Sequence, residues 1–269
     1  MQFTSELVTD GLVERTFNIT VNGDSVPGVI WTPENPSKDH PILLMGHGGS
    51  QHKKFAGVVS RAHRYVRDFG FVVAAIDAPG HGERTPSEQS LKFVAELKKS
   101  MAERLPVGEI VANEMARLAL QATPEWRATL DAIQALGDVG TDGAVGYWGI
   151  AMGGAIGVSL IASEPRISAA VLGLAGLPSN NQALADTAAR ITVPIEFFLQ
   201  SDDELLSRDS GIALFDAFGS QEKTLHINSG GHGRIPVWES ESWERFFIRH
   251  LKANLAEKEK RTSGSLPTR

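Results

Sequence analysis

The stretch Gly146-Tyr147-Trp148-Gly149-Ile150-Ala151-Met152-Gly153-Gly154 is where the chain declares its architecture, because a strand here should turn sharply into a helix. Small residues such as Gly149 and Gly153 let a strand and the following helix approach closely. That is the requirement of a Gly-x-Ser-x-Gly turn, whose middle residue is held on a strained backbone as a nucleophile. In this chain the middle residue is Ala151.

Outward from that turn, short apolar or β-branched runs bounded by Gly, Pro or polar residues predict strands at Thr16–Val21, Val26–Trp31, Ile42–Met45, Phe71–Ile76, Ala144–Trp148, Ala169–Leu174, Ile195–Leu199 and Thr224–Ile227. The later runs are apolar almost throughout, as in parallel strands covered by helices on both faces. The first two read as an antiparallel hairpin turned at Asn22-Gly23-Asp24. The expected fold is therefore α/β, a mostly parallel sheet of about eight strands with helices on both faces.

Helix ends carry their own signals. Gly70 and Gly219 close helices at Val58–Phe69 and Ser207–Phe218, and Thr123-Pro124-Glu125 should start a helix that ends at Gly137. A last helix, Val237 to Leu255, would bury Trp243, Phe247 and Leu251. From about Glu83 to Ala122 no strand is predicted. Leu91, Val94, Leu97, Met101 and Leu105 mark one amphipathic helix there, and Ile110 to Leu120 another. This reads either as a small helical insertion able to cover a pocket or as longer crossover helices. Residues 1–258 are expected to form one domain, and the basic, then Ser/Gly/Pro-rich residues 259–269 a disordered tail.

Composition removes several function classes. The chain has 269 residues, a net charge of −6 and no cysteine. Negative charge argues against nucleic acid or an anionic membrane as partner, and the absence of cysteine excludes disulfides, thiolate zinc sites and a cysteine nucleophile. No secretory leader or membrane span is evident, so a cytoplasmic location is expected. Neither a phosphate loop nor a dinucleotide fingerprint is present, so no nucleotide cofactor is expected.

Three further segments carry chemistry. Gly46-His47-Gly48-Gly49-Ser50 follows a strand, and its glycines would let the N–H of Gly49 pair with that of Met152 as an oxyanion hole. Gln200-Ser201-Asp202-Asp203-Glu204 offers an acid at a strand end, although such acids often only cap helices. Ser229-Gly230-Gly231-His232-Gly233 offers a histidine on a glycine-rich loop. Nucleophile position, acid and base follow in that order, separated by roughly 50 and 30 residues.

With these motifs the chain resembles the α/β-hydrolases, in particular the dienelactone hydrolase-like bacterial esterases, from about Val13 to Leu255. Asp77-Ala78-Pro79-Gly80-His81-Gly82 adds to the likeness. The resemblance implies a Ser-His-Asp triad acting on a small-molecule ester, lactone or related acyl substrate without cofactor or metal. The base would be His232 and the acid Asp203, with Asp202 as alternative; the nucleophile would fall on Ala151. Alanine cannot attack a carbonyl. Either an active hydrolase has had its serine replaced, which the intact remainder favours, or the chain is a natural pseudoenzyme that binds a ligand. A C–C bond or amide hydrolase is a further alternative. His47, Ser50, His81 and Trp238 are candidate substrate contacts; His226 reads as structural, and Lys258-Glu259-Lys260-Arg261 as solvated charge. Nothing in the sequence decides the oligomeric state.

Overall fold

The computed structural model describes residues 1–137 and 139–252. The expected disordered tail and the charged run at 258–261 lie outside the described residues. A nine-stranded sheet is built from β1 (Gln2–Thr9), β2 (Leu12–Val21), β3 (Asp24–Pro33), β4 (Ile42–Gly46), β5 (Val72–Ile76), β6 (Val145–Ile150), β7 (Ile167–Gly173), β8 (Ile195–Gln200) and β9 (Lys223–Asn228). Its order is β1-β2-β3-β5-β4-β6-β7-β8-β9. From β5 to β9 neighbouring strands run parallel, and β1, β2 and β3 add an antiparallel end.

The hairpin forms as expected. Val21 pairs with Asp24 across Asn22 and Gly23, both at positive φ (51° and 91°) as a two-residue primed turn requires. The sheet has one strand more than expected, β1. It escapes hydrophobic patterning because it lies at the sheet edge with nearly every residue exposed, joined to β2 by backbone pairing and by Thr4 and Ser5 hydroxyls on Thr16.

Alternate strand residues feed opposite faces. Ile42 and Leu44 join a core with α3 (Gly108–Gln134), α4 (Met152–Ser163), α5 (Gln182–Ala189) and α6 (Arg208–Ala217). Leu43 and Met45 join one with α1 (Ala56–Phe69) and α7 (Glu239–Phe247). Gly70 closes α1 in the left-handed conformation, φ 66°, as expected. In the last helix Trp243, Phe247 and Leu251 are buried as predicted, but it begins at Glu239 rather than Val237 and passes into a π-helical turn, Ile248–Lys252; its expected end at Leu255 lies outside the described residues.

One expectation fails in the segment before β6. Thr123-Pro124 does not start a helix: α3 runs through it, and the Thr123 hydroxyl donates to the Ala119 carbonyl 2.7 Å away. Proline inside a helix removes the bond to the carbonyl four residues earlier. Burial of Ala119, Ala122, Trp126 and Leu130 along the same helix, and a two-bond ion pair from Arg84 to the buried Glu125 (2.7 and 2.8 Å), offset that loss. The second helix of the expected insertion and the next crossover helix are thus one element. The first helix of the expected insertion does form, as α2 (Glu88–Ala102), with its apolar stripe largely uncovered. Leu91, Val94 and Met101 are exposed, as is Leu105 just beyond the helix, and only Ser100 is buried.

If α3 is continuous, Pro124→Ala restores a backbone bond and raises unfolding free energy by about 2 kcal/mol in urea titrations, after allowance for proline's restriction of the unfolded chain. Unchanged or reduced stability would mean that a helix begins at Pro124 after all.

Candidate active site

The turn between β6 and α4 is tight because backbone meets backbone there. A Cβ on Gly149 would lie 2.5 Å from the Gly153 carbonyl oxygen, and one on Gly153 would lie 2.4 Å from that of Gly46 on the neighbouring strand. Only glycine fits at either position. The Tyr147 hydroxyl, fully buried, donates to the same Gly153 carbonyl at 2.7 Å. Between these contacts Ala151 takes φ 50° and ψ −115°, a conformation that L-residues rarely adopt. Its N–H is held by the Gly173 carbonyl at 2.9 Å. Met152 opens α4, so its N–H has no acceptor within the helix and projects from the positive end of the helix dipole.

Gly46 pairs with Gly149 at the carboxyl ends of β4 and β6, which places the loop after β4 beside this turn. The chain leaves β4 towards β5 on one side and later returns to β6 on the other, and such a reversal opens a crevice at the strand ends. Gly49 is exposed there, with open space where a side chain would be, and Ser50 follows at φ 60°. His47 is buried. Its Nε2 accepts the N–H of Ala78 at 3.0 Å, so its Nδ1 carries the proton and donates to the Gly48 carbonyl at 2.9 Å. Burial pushes the His47 imidazole down to about 4, so it is neutral near pH 7. With both nitrogens committed to backbone, His47 is a brace for the loops rather than a free contact for substrate or metal.

The loops that carry Asp203 and His232 meet beyond β8 and β9. His232 Nδ1 lies 2.8 Å from Asp203 Oδ2, and Asp203 Oδ1 accepts the N–H groups of Leu205 and Leu206 at 2.9 and 3.0 Å. The Asp203 side chain is 1% exposed and that of His232 21%. Of the two neighbouring aspartates, Asp203 is the one on the imidazole. Asp202 instead accepts the Gly230 N–H at 3.0 Å, and Glu204 accepts the N–H of His232 itself at 3.0 Å. That last bond holds the Glu204 carboxyl below its ordinary range. Sequence reasoning missed these two clamps, although three consecutive acids before a glycine-rich loop were the visible signal. It also missed the buried Gln200, which donates to the Arg234 carbonyl at 2.7 Å and anchors the far end of the histidine loop.

A fourth loop, after β5, braces the first. Asp77, fully buried, accepts the Lys53 ammonium at 2.7 Å, the Lys53 N–H at 2.9 Å and the Glu83 N–H at 3.0 Å. Burial alone would raise the Asp77 carboxyl, but these bonds outweigh it and hold the group below its usual range. His81, half-buried, places Nδ1 2.9 Å from the Pro79 carbonyl and its ring 5.6 Å from that of His47. Trp238 is 65% exposed at the start of α7.

No protein-family model and no curated protein matches the chain. Solved structures do. A cold-adapted esterase from an Arctic intertidal metagenomic library, determined with polyethylene glycol bound, is 34% identical over 93% of this chain and 100% of its own, with a TM-score of 0.75. At 15% identity, acetyl xylan esterase 1 from Thermoanaerobacterium sp. JW/SL YS485 covers 92% of this chain and 87% of its own (TM-score 0.68). At 18%, a 2,6-dihydroxy-pseudo-oxynicotine hydrolase covers 89% and 68% (TM-score 0.66). The chain therefore belongs with the first of these in a family of esterases of the α/β-hydrolase fold.

His47 ties this site to pH. Its folded pKa lies below the unfolded value of about 6.5, so it contributes stability above that value and the contribution fades as pH falls towards 4. Between pH 7 and pH 4 the chain should lose about 3 kcal/mol more unfolding free energy than His47→Gln does, measured by denaturant titration at each pH. Parallel losses would mean that His47 titrates alike folded and unfolded.

Proposed function

We propose that the chain is the frame of a serine carboxylic-ester hydrolase, akin to the dienelactone hydrolase-like esterases, with Ala151 in the place of its nucleophile. The observation that carries this reading is the 2.8 Å pairing of Asp203 with His232 at the strand ends where the strained Ala151 backbone also lies. An alanine in that conformation costs on the order of 1–2 kcal/mol and has no group to gain from it. The backbone is shaped for a side chain that the residue lacks.

With a serine at position 151, the hydroxyl would attack the acyl carbon of an ester or lactone. His232 Nε2 would take the hydroxyl proton and return it to the leaving alkoxide, while Asp203 orients the ring and stabilises its charged form. The N–H groups of Met152 and Gly49 would hold the oxyanion. None of these steps needs a metal or cofactor. Residues 83–122, with the exposed apolar side chains of α2, would cover the substrate. Ser50, His81 and Trp238 are carried forward as substrate contacts. As it stands the chain would bind such a substrate and not turn it over by this route. Among the described residues no helix is long and apolar enough to cross a membrane.

The alanine itself favours a second reading, a natural ligand-binding protein that never hydrolyses. The two part on one experiment. Under the first, Ala151→Ser raises p-nitrophenyl acetate turnover by on the order of 10⁴ or more. In that background Asp203→Asn then costs on the order of 10⁴ in kcat, whereas Asp202→Asn changes it by less than about tenfold. A folded Ala151→Ser protein without turnover of esters, amides or β-diketones would favour the ligand-binding protein.

A further inference from the structure

Away from the site just described, the edge of the sheet and α7 bring two carboxylates and a histidine together. Glu196 of β8 is opposite Thr224 of β9, and Phe198 opposite His226, so Glu196 and His226 emerge on the same face of the sheet. The first residue of α7, Glu239, meets them there. The three offer ligand atoms that all lie within 4.8 Å of one another. Glu196 is 5% exposed, and its Oε1 has no hydrogen-bond partner. Glu239, 3% exposed, places Oε2 3.0 Å from His226 Nδ1 and accepts the Asn228 amide on Oε1 at 2.9 Å.

A buried carboxylate oxygen without a donor is costly, and Glu196 Oε1, set beside the second buried carboxylate of Glu239, calls for a cation. We propose that Glu196, His226 and Glu239 bind one divalent transition-metal ion of the zinc class. Two carboxylates and a neutral imidazole balance its charge, and nitrogen and oxygen ligands of this kind are those zinc accepts, with water in the fourth position. Asn228, fixing the other oxygen of Glu239, is the outer partner that such ligands usually have. Of the three, Glu196 also lines a cavity of about 190 Å³, together with Thr224, Ser242 and Arg245.

The ion would act on the neighbouring loop rather than on substrate. His226 lies on the strand before the His232 loop and Glu239 begins the helix after it, so one ion closes both ends of that loop. Residue spacing shows no sign of this site, because the ligands come from three elements and none forms a short His or Glu motif.

The test uses the unaltered chain, stripped with chelator and titrated with zinc ion alone. One equivalent should bind per chain and raise Tm by several degrees. His226→Gln and Glu239→Gln, each checked by circular dichroism, should each weaken binding at least about 100-fold, while His250→Gln beside the cavity should not. Zinc-edge anomalous diffraction from crystals of the unaltered chain should place the ion between the three side chains, whether or not the variants fold. No binding tighter than about 100 μM, affinity retained in both variants, or an ion located elsewhere would overturn the proposal.

Discussion

The contact between the first turn of α4 and the ends of β4 and β6 is the constraint on which the rest of the site depends. Gly153 meets the Gly46 carbonyl and Gly149 meets the Gly153 carbonyl with no room for a side chain. Because the helix starts that close to the sheet, the connecting residue has little choice but the positive φ of Ala151. The same closeness sets the first turn of α4, which Met152 opens, against the strand end from which the Gly49 loop leaves. The position and the strain of Ala151 both follow from three glycines on adjoining elements.

The other side of the site is held by polar bonds instead of close packing. Both Asp203 oxygens are engaged, Glu204 and Asp202 take N–H groups of the opposing loop, and Gln200 holds its far end. A histidine on a glycine-rich loop has much conformational freedom, and each of these bonds removes some of it. His47 does the equivalent work between the loops after β4 and β5, remaining neutral because both ring nitrogens are spent on backbone partners in a buried place. Preorganised donors of this kind are most effective where water is excluded and little rearrangement is needed.

Much of this was legible in the sequence, for identifiable reasons. Apolar runs such as Ile42–Met45 and Ile195–Leu199 announce buried parallel strands because they are covered on both faces, and Asn22-Gly23 announces its hairpin through the φ values it must adopt. Chain order together with the family resemblance pointed to Ala151, Asp203 and His232, and Asp203 rather than Asp202 lies on the imidazole. What stayed hidden depended on partners remote in sequence. β1 is held by pairing rather than burial, so no hydrophobic pattern marks it. The Thr123-Pro124 signal is locally sound but is overridden by the packing of Trp126 and by the Arg84–Glu125 pair. The α2 stripe has helical spacing, yet spacing does not say whether anything covers it.

Under the proposed function, Asp203, His232 and the N–H groups of Met152 and Gly49 surround position 151, and only a nucleophilic atom is missing. The most direct test of this is intact-protein mass spectrometry of the Ala151→Ser protein after exposure to a fluorophosphonate. The account predicts one adduct per chain, on the peptide that carries position 151, and none on the unaltered chain. A folded Ala151→Ser protein that remains unlabelled, or that is labelled no faster at position 151 than at other serines, would contradict it.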